Sequence, residues 1–253
     1  MTVILLRHGR STANTSGVLA GRSAGVHLDD RGRVQADDLV RRLGDHLGSI
    51  RAVARSPLDR CAETVQPLLA ALAGDGQAPP EIVVDDLAEV DYGGWTGRPI
   101  SELLTEPLWK VVQRQPSAAI FPDGEGLADV QARAVRAIRE LDRVHGGPDG
   151  SGVWIACSHG DVIKSIIADA MGSHLDAFQR IVVEPASISV IRYTPSRPYV
   201  HTVNATELLS IPKPPPPAQD GQRPSDDAVV GGDTGADVAP SANGAATIPA
   251  TSG

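Results

Sequence analysis

Leu5-Leu6-Arg7-His8-Gly9-Arg10-Ser11-Thr12-Ala13-Asn14 is the stretch from which the rest of the sequence is read. The apolar run from Thr2 to Leu6 reads as a buried strand. It stops at an Arg–His pair, then Gly9, then a small polar loop. A strand that ends this way sets a cation, an imidazole and a free backbone N–H at one tip. That is chemistry for an anion, phosphate above all. Whether the tip is part of a site depends on what the other strand ends supply.

The chain has 253 residues, enough for one α/β domain with a sizeable core. Aromatic residues make up only 3%, so the core is expected from Leu, Val, Ile and Ala. A formal net charge of −8 argues against a general nucleic-acid binder, which would carry a basic face. Met1 to Leu6 is too short for a signal peptide and Arg7 interrupts it. No apolar run approaches the roughly 20 residues of a membrane helix. Cys61 and Cys157 lie far apart without metal-ligand spacing, so reduced thiols in a soluble cytoplasmic protein are expected. From about Pro212 the composition shifts to Pro, Gly, Ala, Ser, Thr and Asp. Residues 1–211 are therefore read as one domain and 212–253 as a disordered acidic tail.

Strand and helix patterns alternate along the domain. Val26 to Gly48 reads as a turn and a helix capped by Asp29 or Asp30, with Val34, Leu39 and Leu43 on one face. Ile50 to Ala54 is a second strand. Ser56-Pro57 then predicts a helix start, Ser as N-cap and Pro first. Glu81 to Val84 is a third strand, followed by a long acidic loop from Asp85 to Trp95. Ile100 to Gln113 predicts short helices broken near Pro107. Leu127, Val130, Ala134, Ala137, Ile138 and Leu141 mark the strongest helix. Val153 to Cys157 is a fourth strand, Val162 to Met171 a buried helix that Asp161 caps in preference to orienting His159, and Ala186–Tyr193 and Tyr199–Val203 two closing strands.

This order predicts a three-layer α/β/α fold with a mostly parallel sheet, in which ligands bind beyond the carboxyl ends of the strands. Four exits fall there: Arg7-His8 after the first strand, Arg60 after the second, Glu89 after the third and His159 after the fourth. Two arginines and a histidine can grip a phosphoryl group, one imidazole can act as nucleophile and a carboxylic acid can protonate the leaving oxygen. No residue set resembles a metal cage, and arginines beside His8 and His159 would repel a divalent cation. Asp85, Asp86 and Asp91 compete with Glu89 for the acid's role. The other histidines, His27, His46, His145, His174 and His201, read as surface or packing residues. Trp95 reads as packing beneath the Glu89 loop, Trp109 and Phe121 as pocket or core, and the cysteines as apolar core groups.

Arg7-His8-Gly9 with Asn14, Ser56-Pro57 with Arg60 and Thr64, Glu89 with Gly93 to Gly97, Gly124-Glu125, and Ser158-His159-Gly160 together resemble the histidine phosphatase superfamily, or phosphoglycerate-mutase-like family. The resemblance spans Val3 to about Tyr193. It implies a phosphoglycerate-mutase-like fold and metal-independent hydrolysis of phosphomonoesters without a cofactor. It implies His8 as the nucleophile that becomes phosphohistidine, and Arg7, Arg60 and His159 as holders of the phosphoryl oxygens. It also implies Glu89 as general acid and then base, and Ser11 and Asn14 as hydrogen-bond donors. Arg22 is a further substrate-binding candidate. Activity is expected to favour mildly acidic pH, because a phosphate dianion raises the pKa of Glu89.

Arg10 and Arg55 depart from the family pattern and either add charge at the mouth or face solvent. The segment Ile100 to Pro122 lacks a long basic insertion, which favours a phosphatase over a phosphomutase. A phosphomutase, a catalytically silent phosphate-binding protein and an unrelated metal-dependent hydrolase remain as other readings. The implied partner is a phosphorylated small molecule, with no nucleic acid and no membrane. Whether the chain forms a homo-oligomer is open.

Overall fold

The first strand, β1 (Thr2–Arg7), is buried on both faces: Val3 and Leu5 join one apolar cluster, Ile4 and Leu6 the other. The computed structural model describes residues 1–74, 78–147 and 150–208. After β1 the chain turns into α1 (Thr12–Ser16), capped by Ser11 and Asn14 in a reciprocal pair of bonds. Helices α2 (Asp30–Asp37) and α3 (Leu39–Leu43) follow, then β2 (Ile50–Arg55), α4 (Asp59–Ala73) and the short edge strand β3 (Glu81–Val83). Next come α5 (Ile100–Leu103), α6 (Pro107–Arg114) and α7 (Leu127–His145). The chain closes with β4 (Val153–Ser158), α8 (Gly160–Ala170), β5 (Ile188–Tyr193) and β6 (Pro198–Ala205).

The six strands form one sheet in the order β3-β2-β4-β1-β5-β6. The four that carry the expected site are parallel, while β5 and β6 run antiparallel to their neighbours. Leu127, Val130 and Ile138 of α7 and Ile163, Ile166 and Ile167 of α8 pack on the Val3–Leu5 face. Leu39 and Leu43 of α3 and Cys61, Val65 and Leu68 of α4 pack on the Ile4–Leu6 face. Each such side chain contributes roughly 1.5–3 kcal/mol on full burial. The layering is the three-layer α/β/α arrangement that the alternation predicts. Among the described residues no helix is long and apolar enough to cross a membrane.

Several local expectations are corrected. Val34 is 68% exposed and off the buried face, which Ala36 of α2 and Leu39 and Leu43 of α3 form. Ser56 does not cap α4: the helix begins at Asp59, its cap position is Leu58, and no side chain closes it. Asp161 does not cap α8 either, since it already lies inside the first turn, with His159 in the cap position. The expected tail, 212–253, lies outside the described residues.

Register positions the site. Arg7 pairs with Ser158 and Arg55 with Cys157, so β1, β4 and β2 end side by side. The ladder runs one bond further on each side: His8 N donates to Ser158 O at 3.0 Å and Ser56 N to Cys157 O at 2.9 Å. Beyond this edge the strand tip touches α2 through two glycines. A Cβ on Gly32 would lie 2.0 Å from Arg10 O, and one on Gly9 would lie 2.7 Å from Gly32 O. Helical Gly→Ala ordinarily stabilises by about 1 kcal/mol. Here we expect the opposite sign: Gly32→Ala should lose on the order of 1–3 kcal/mol by overpacking. Urea denaturation of the purified variant checks this, and a gain in stability would contradict the packing described.

Candidate active site

The end of β1 fixes the protonation of His8. Its Nδ1 lies 2.7 Å from Gly9 O. A carbonyl only accepts, so Nδ1 carries the proton and Nε2 keeps the free lone pair. Burial, then the charges of Arg60 and Arg7, push the imidazole pKa well below its ordinary value. His8 is therefore neutral at physiological pH and nucleophilic at Nε2.

The arginines are placed by backbone. Arg7 Nη1 donates to Val183 O at 2.6 Å, and Arg60, in the first turn of α4, donates from Nη2 to Gly21 O at 2.9 Å. Among the described residues, Arg7 Nε and Arg60 Nη1 are buried without a hydrogen-bond partner. Buried cationic donors left unmatched cost stability unless an anion meets them.

His159 sits behind His8, with ring centroids 5.1 Å apart, and is fully buried. Arg60 Nη2 lies 3.2 Å from its Nδ1, and a guanidinium only donates, so Nδ1 accepts. The remaining proton sits on Nε2, which faces Ser56 Oγ at 2.8 Å. His159 is thus the opposite tautomer to His8, and burial followed by the charge of Arg60 depresses its pKa. This departs from the expected role. Both ring nitrogens are engaged within the protein, and the imidazole orients Arg60 rather than facing the cavity.

Glu89 arrives on the loop after β3. Its Oε1 accepts from Val90 N at 2.9 Å and its Oε2 lies 3.8 Å from His159 Nδ1. Burial and then the carboxylate of Asp161 raise its pKa to about 7, against the opposing pull of Arg60 and Arg7. Asp161 itself accepts from Tyr92 Oη at 3.0 Å. Asp85, Asp86 and Asp91 are not on the cavity.

A buttress holds this loop. Arg133 of α7 donates to Asp86 O at 2.6 Å, to Glu89 O at 3.1 Å and to both carboxylate oxygens of Glu125. Glu125 in turn accepts from Asp91 N at 3.0 Å. Gly93 has φ +48° and would place a Cβ 2.0 Å from Pro122 O, so only glycine lets the two loops meet. Beneath them Trp95 stacks on Trp109, and Phe121 meets Trp95 and Tyr92 edge-on; Trp95, Phe121 and Tyr92 are core residues, and Trp109 packs half-buried against them.

Arg7, His8, Ser11, Asn14, Arg60 and Glu89 line one cavity of about 450 Å³. Asn14 Oδ1 is occupied by Ser11 N and Oγ, so its amide nitrogen is the donor that remains. Arg22 does not line the cavity. It donates to Glu89 O at 2.8 Å and pairs with Glu125 at 2.9 Å, so it positions the loop instead of touching substrate. Arg10 pairs with Asp29 and Arg55 with Glu81, both away from the mouth. Sequence reading gave Ser56 only as a helix cap and a motif residue, and missed Arg133 and the Tyr92–Asp161 pair. Arg133, three residues after Val130 on the buried stripe of α7, was the available signal. Among the described residues no group of three or more His, Cys, Asp or Glu side chains could hold a metal ion.

Fold and site together place a neutral histidine and two guanidiniums on one cavity at the strand ends of an α/β sheet. Residues 3–206 match the family model described as the Histidine phosphatase superfamily (branch 1), and the chain belongs to that family. It is 31% identical over 213 residues to the Bifunctional protein Rv2228c of Mycobacterium tuberculosis, covering 82% of this chain and 54% of that one. The chain thus spans about half the length of that curated relative. It is 28% identical over 212 residues to Phosphoserine phosphatase 1 of Hydrogenobacter thermophilus, covering 81% of this chain and 92% of the relative. The crystal structure of the alpha-ribazole phosphatase from Shigella flexneri superposes with a TM-score of 0.71 at 24% identity. That match covers 84% of this chain and all of the other, and it shows a shared fold.

The raised pKa of Glu89 has a thermodynamic consequence. Between the ordinary carboxyl value and about 7 the folded protein holds a proton that the unfolded chain has released. Stability therefore falls as pH rises through that window. Glu89→Gln removes the penalty. We expect the variant to gain on the order of 2–3 kcal/mol relative to wild type on going from pH 4 to pH 8. Denaturant melts at the two pH values measure it, and a pH-independent difference would contradict the assigned burial of the carboxyl.

Proposed function

We propose that this chain hydrolyses phosphomonoesters of small molecules through a phosphohistidine on His8, without a metal ion. The observation that carries the reading is the neutral His8, its Nε2 lone pair free, in one cavity with Arg7, Arg60 and Glu89. The phosphatase names of the relatives support it.

In the first step His8 Nε2 attacks phosphorus and the P–O ester bond breaks. The leaving oxygen takes the proton of the Glu89 carboxyl, which a pKa of about 7 keeps available near neutrality. Arg7 and Arg60 bind the non-bridging oxygens as charge redistributes. In the second step the Glu89 carboxylate takes a proton from water. The resulting hydroxide attacks phosphorus, the P–N bond breaks, and phosphate leaves with His8 neutral again. Of the segment Ile100 to Pro122, only Ile100 lines the cavity. No cation from it reaches the substrate, which favours water over a second phosphate ester as the acceptor.

Two measurements test this. His8→Ala should lower turnover of p-nitrophenyl phosphate by at least about 10³-fold. Retention of more than a few per cent of wild-type activity would refute the nucleophile assignment. The pH profile is the second. His8 is deprotonated well below neutrality and Glu89 must be protonated, so kcat/KM should fall as pH rises above about 7. Asp161→Asn removes a charge that raises the Glu89 pKa, so the descending limb should move to lower pH. An unmoved limb would show that another group sets it.

A further inference from the structure

Beyond the phosphoryl cradle, the cavity wall is built from two anchored segments. Val18 and Leu19 lie on a ribbon with Arg98–Ile100, held by Leu19 N to Arg98 O at 3.0 Å and Ile100 N to Gly17 O at 2.9 Å. Ile181 to Pro185 is pinned from three sides. Arg7 donates to Val183 O at 2.6 Å, Gln35 to Pro185 O at 3.4 Å, and Glu184 N to Asn204 Oδ1 at 2.7 Å. The side chains these segments bring to the cavity are mostly aliphatic: Val18, Leu19, Ile100, Ile181, Val182 and Pro185. Ile100 is 38% and Val182 59% exposed, so apolar surface faces water at the rim of a preformed site.

The charges beside this wall do not favour an acidic leaving group. Arg7 and Arg60 belong to the phosphoryl group. Among the described residues the one other cation lining the cavity is Lys164, and it is already matched. Its Nζ lies 3.4 Å from Asp161 Oδ1, 3.2 Å from Gln179 Oε1 and over the ring of Phe178. The carboxylates of Asp161 and Glu184 line the same cavity. With Asp161 paired to Lys164, a leaving group with its own carboxylate would meet the carboxylate of Glu184 and no unmatched cation, whereas an apolar one would cover aliphatic surface.

We propose that the wall formed by Val18, Leu19, Ile100, Ile181, Val182 and Pro185 is a leaving-group subsite for uncharged, apolar alcohols, which selects their phosphate esters against carboxylate-bearing ones. This rests on the phosphomonoesterase reading above and adds its substrate class.

The test compares 4-propylphenyl phosphate with 4-carboxyphenyl phosphate. Leaving-group chemistry alone favours the second, whose phenol is the more acidic, so a preference for the first reports the subsite. The propyl ester should be preferred about tenfold or more in kcat/KM, the scale of a methylene or two in an apolar pocket. Val182→Lys places a cation on the exposed rim and should narrow that ratio several-fold. A wild-type ratio near one or inverted, or a ratio indifferent to Val182→Lys, would overturn the proposal. Calorimetric titration of both esters into His8→Ala separates the two readings. If wild type cleaves neither ester but the variant still binds the propyl ester more tightly, phosphatase activity fails and the subsite stands. Equal binding would overturn the subsite whatever the turnover.

Discussion

The parallel pairing of β1 with β4 through their last residues is the constraint on which the site depends. Arg7 lies opposite Ser158, and the next bond joins His8 N to Ser158 O. That single register sets the two imidazoles 5.1 Å apart, and β2, aligned on β4, brings Ser56 against His159. A slip of one residue would turn Val3 and Leu5 towards the opposite helix layer and reverse every side chain at the tip. Both faces of β1 are buried, so the core enforces the register and the register sets the site.

Charge is the second organising element. Two guanidiniums, two imidazoles and a carboxyl are brought together at the strand ends. Desolvation pushes Arg7, the two imidazoles and the carboxyl towards the neutral form. It holds His8 and His159 uncharged and leaves Glu89 partly protonated near neutrality. Among the described residues Arg7 Nε and Arg60 Nη1 stay buried without a hydrogen-bond partner. The same burial that prepares this chemistry lowers the stability of the fold, a loss that the two aliphatic layers on the sheet offset.

Much of this was legible in the residues, for identifiable reasons. Apolar runs broken by Arg7-His8, Arg55-Ser56 and Ser158-His159 announce buried parallel strands, and parallel strands send their ends to one edge. Glu89 was less certain, because three aspartates lie near it. The structure separates them by the Arg133–Glu125 buttress, which fixes the backbone of Glu89 and leaves the aspartates outside the cavity. What sequence spacing did not reveal were interactions that depend on side-chain direction. Arg22 lies in a loop close to the site yet turns to Glu89 O and Glu125. His159 carries the expected motif yet spends both nitrogens on Arg60 and Ser56. Ser56-Pro57 has the form of a helix cap, but its hydroxyl faces an imidazole across the sheet instead.

The central claim is that His8 itself becomes phosphorylated, and the most direct measurement is a trapped covalent label. Glu89→Gln lacks the base for the second step but still accepts phosphoryl from an aryl ester whose leaving group needs no proton. Brief reaction of this variant with p-nitrophenyl phosphate, a quench at alkaline pH and peptide mass spectrometry locate the phosphoryl group. The account predicts an acid-labile phosphate on the peptide that contains His8, and none when His8 is also replaced by Ala. A label on His159 or on any other residue, or reproducible turnover with no covalent label, would contradict it.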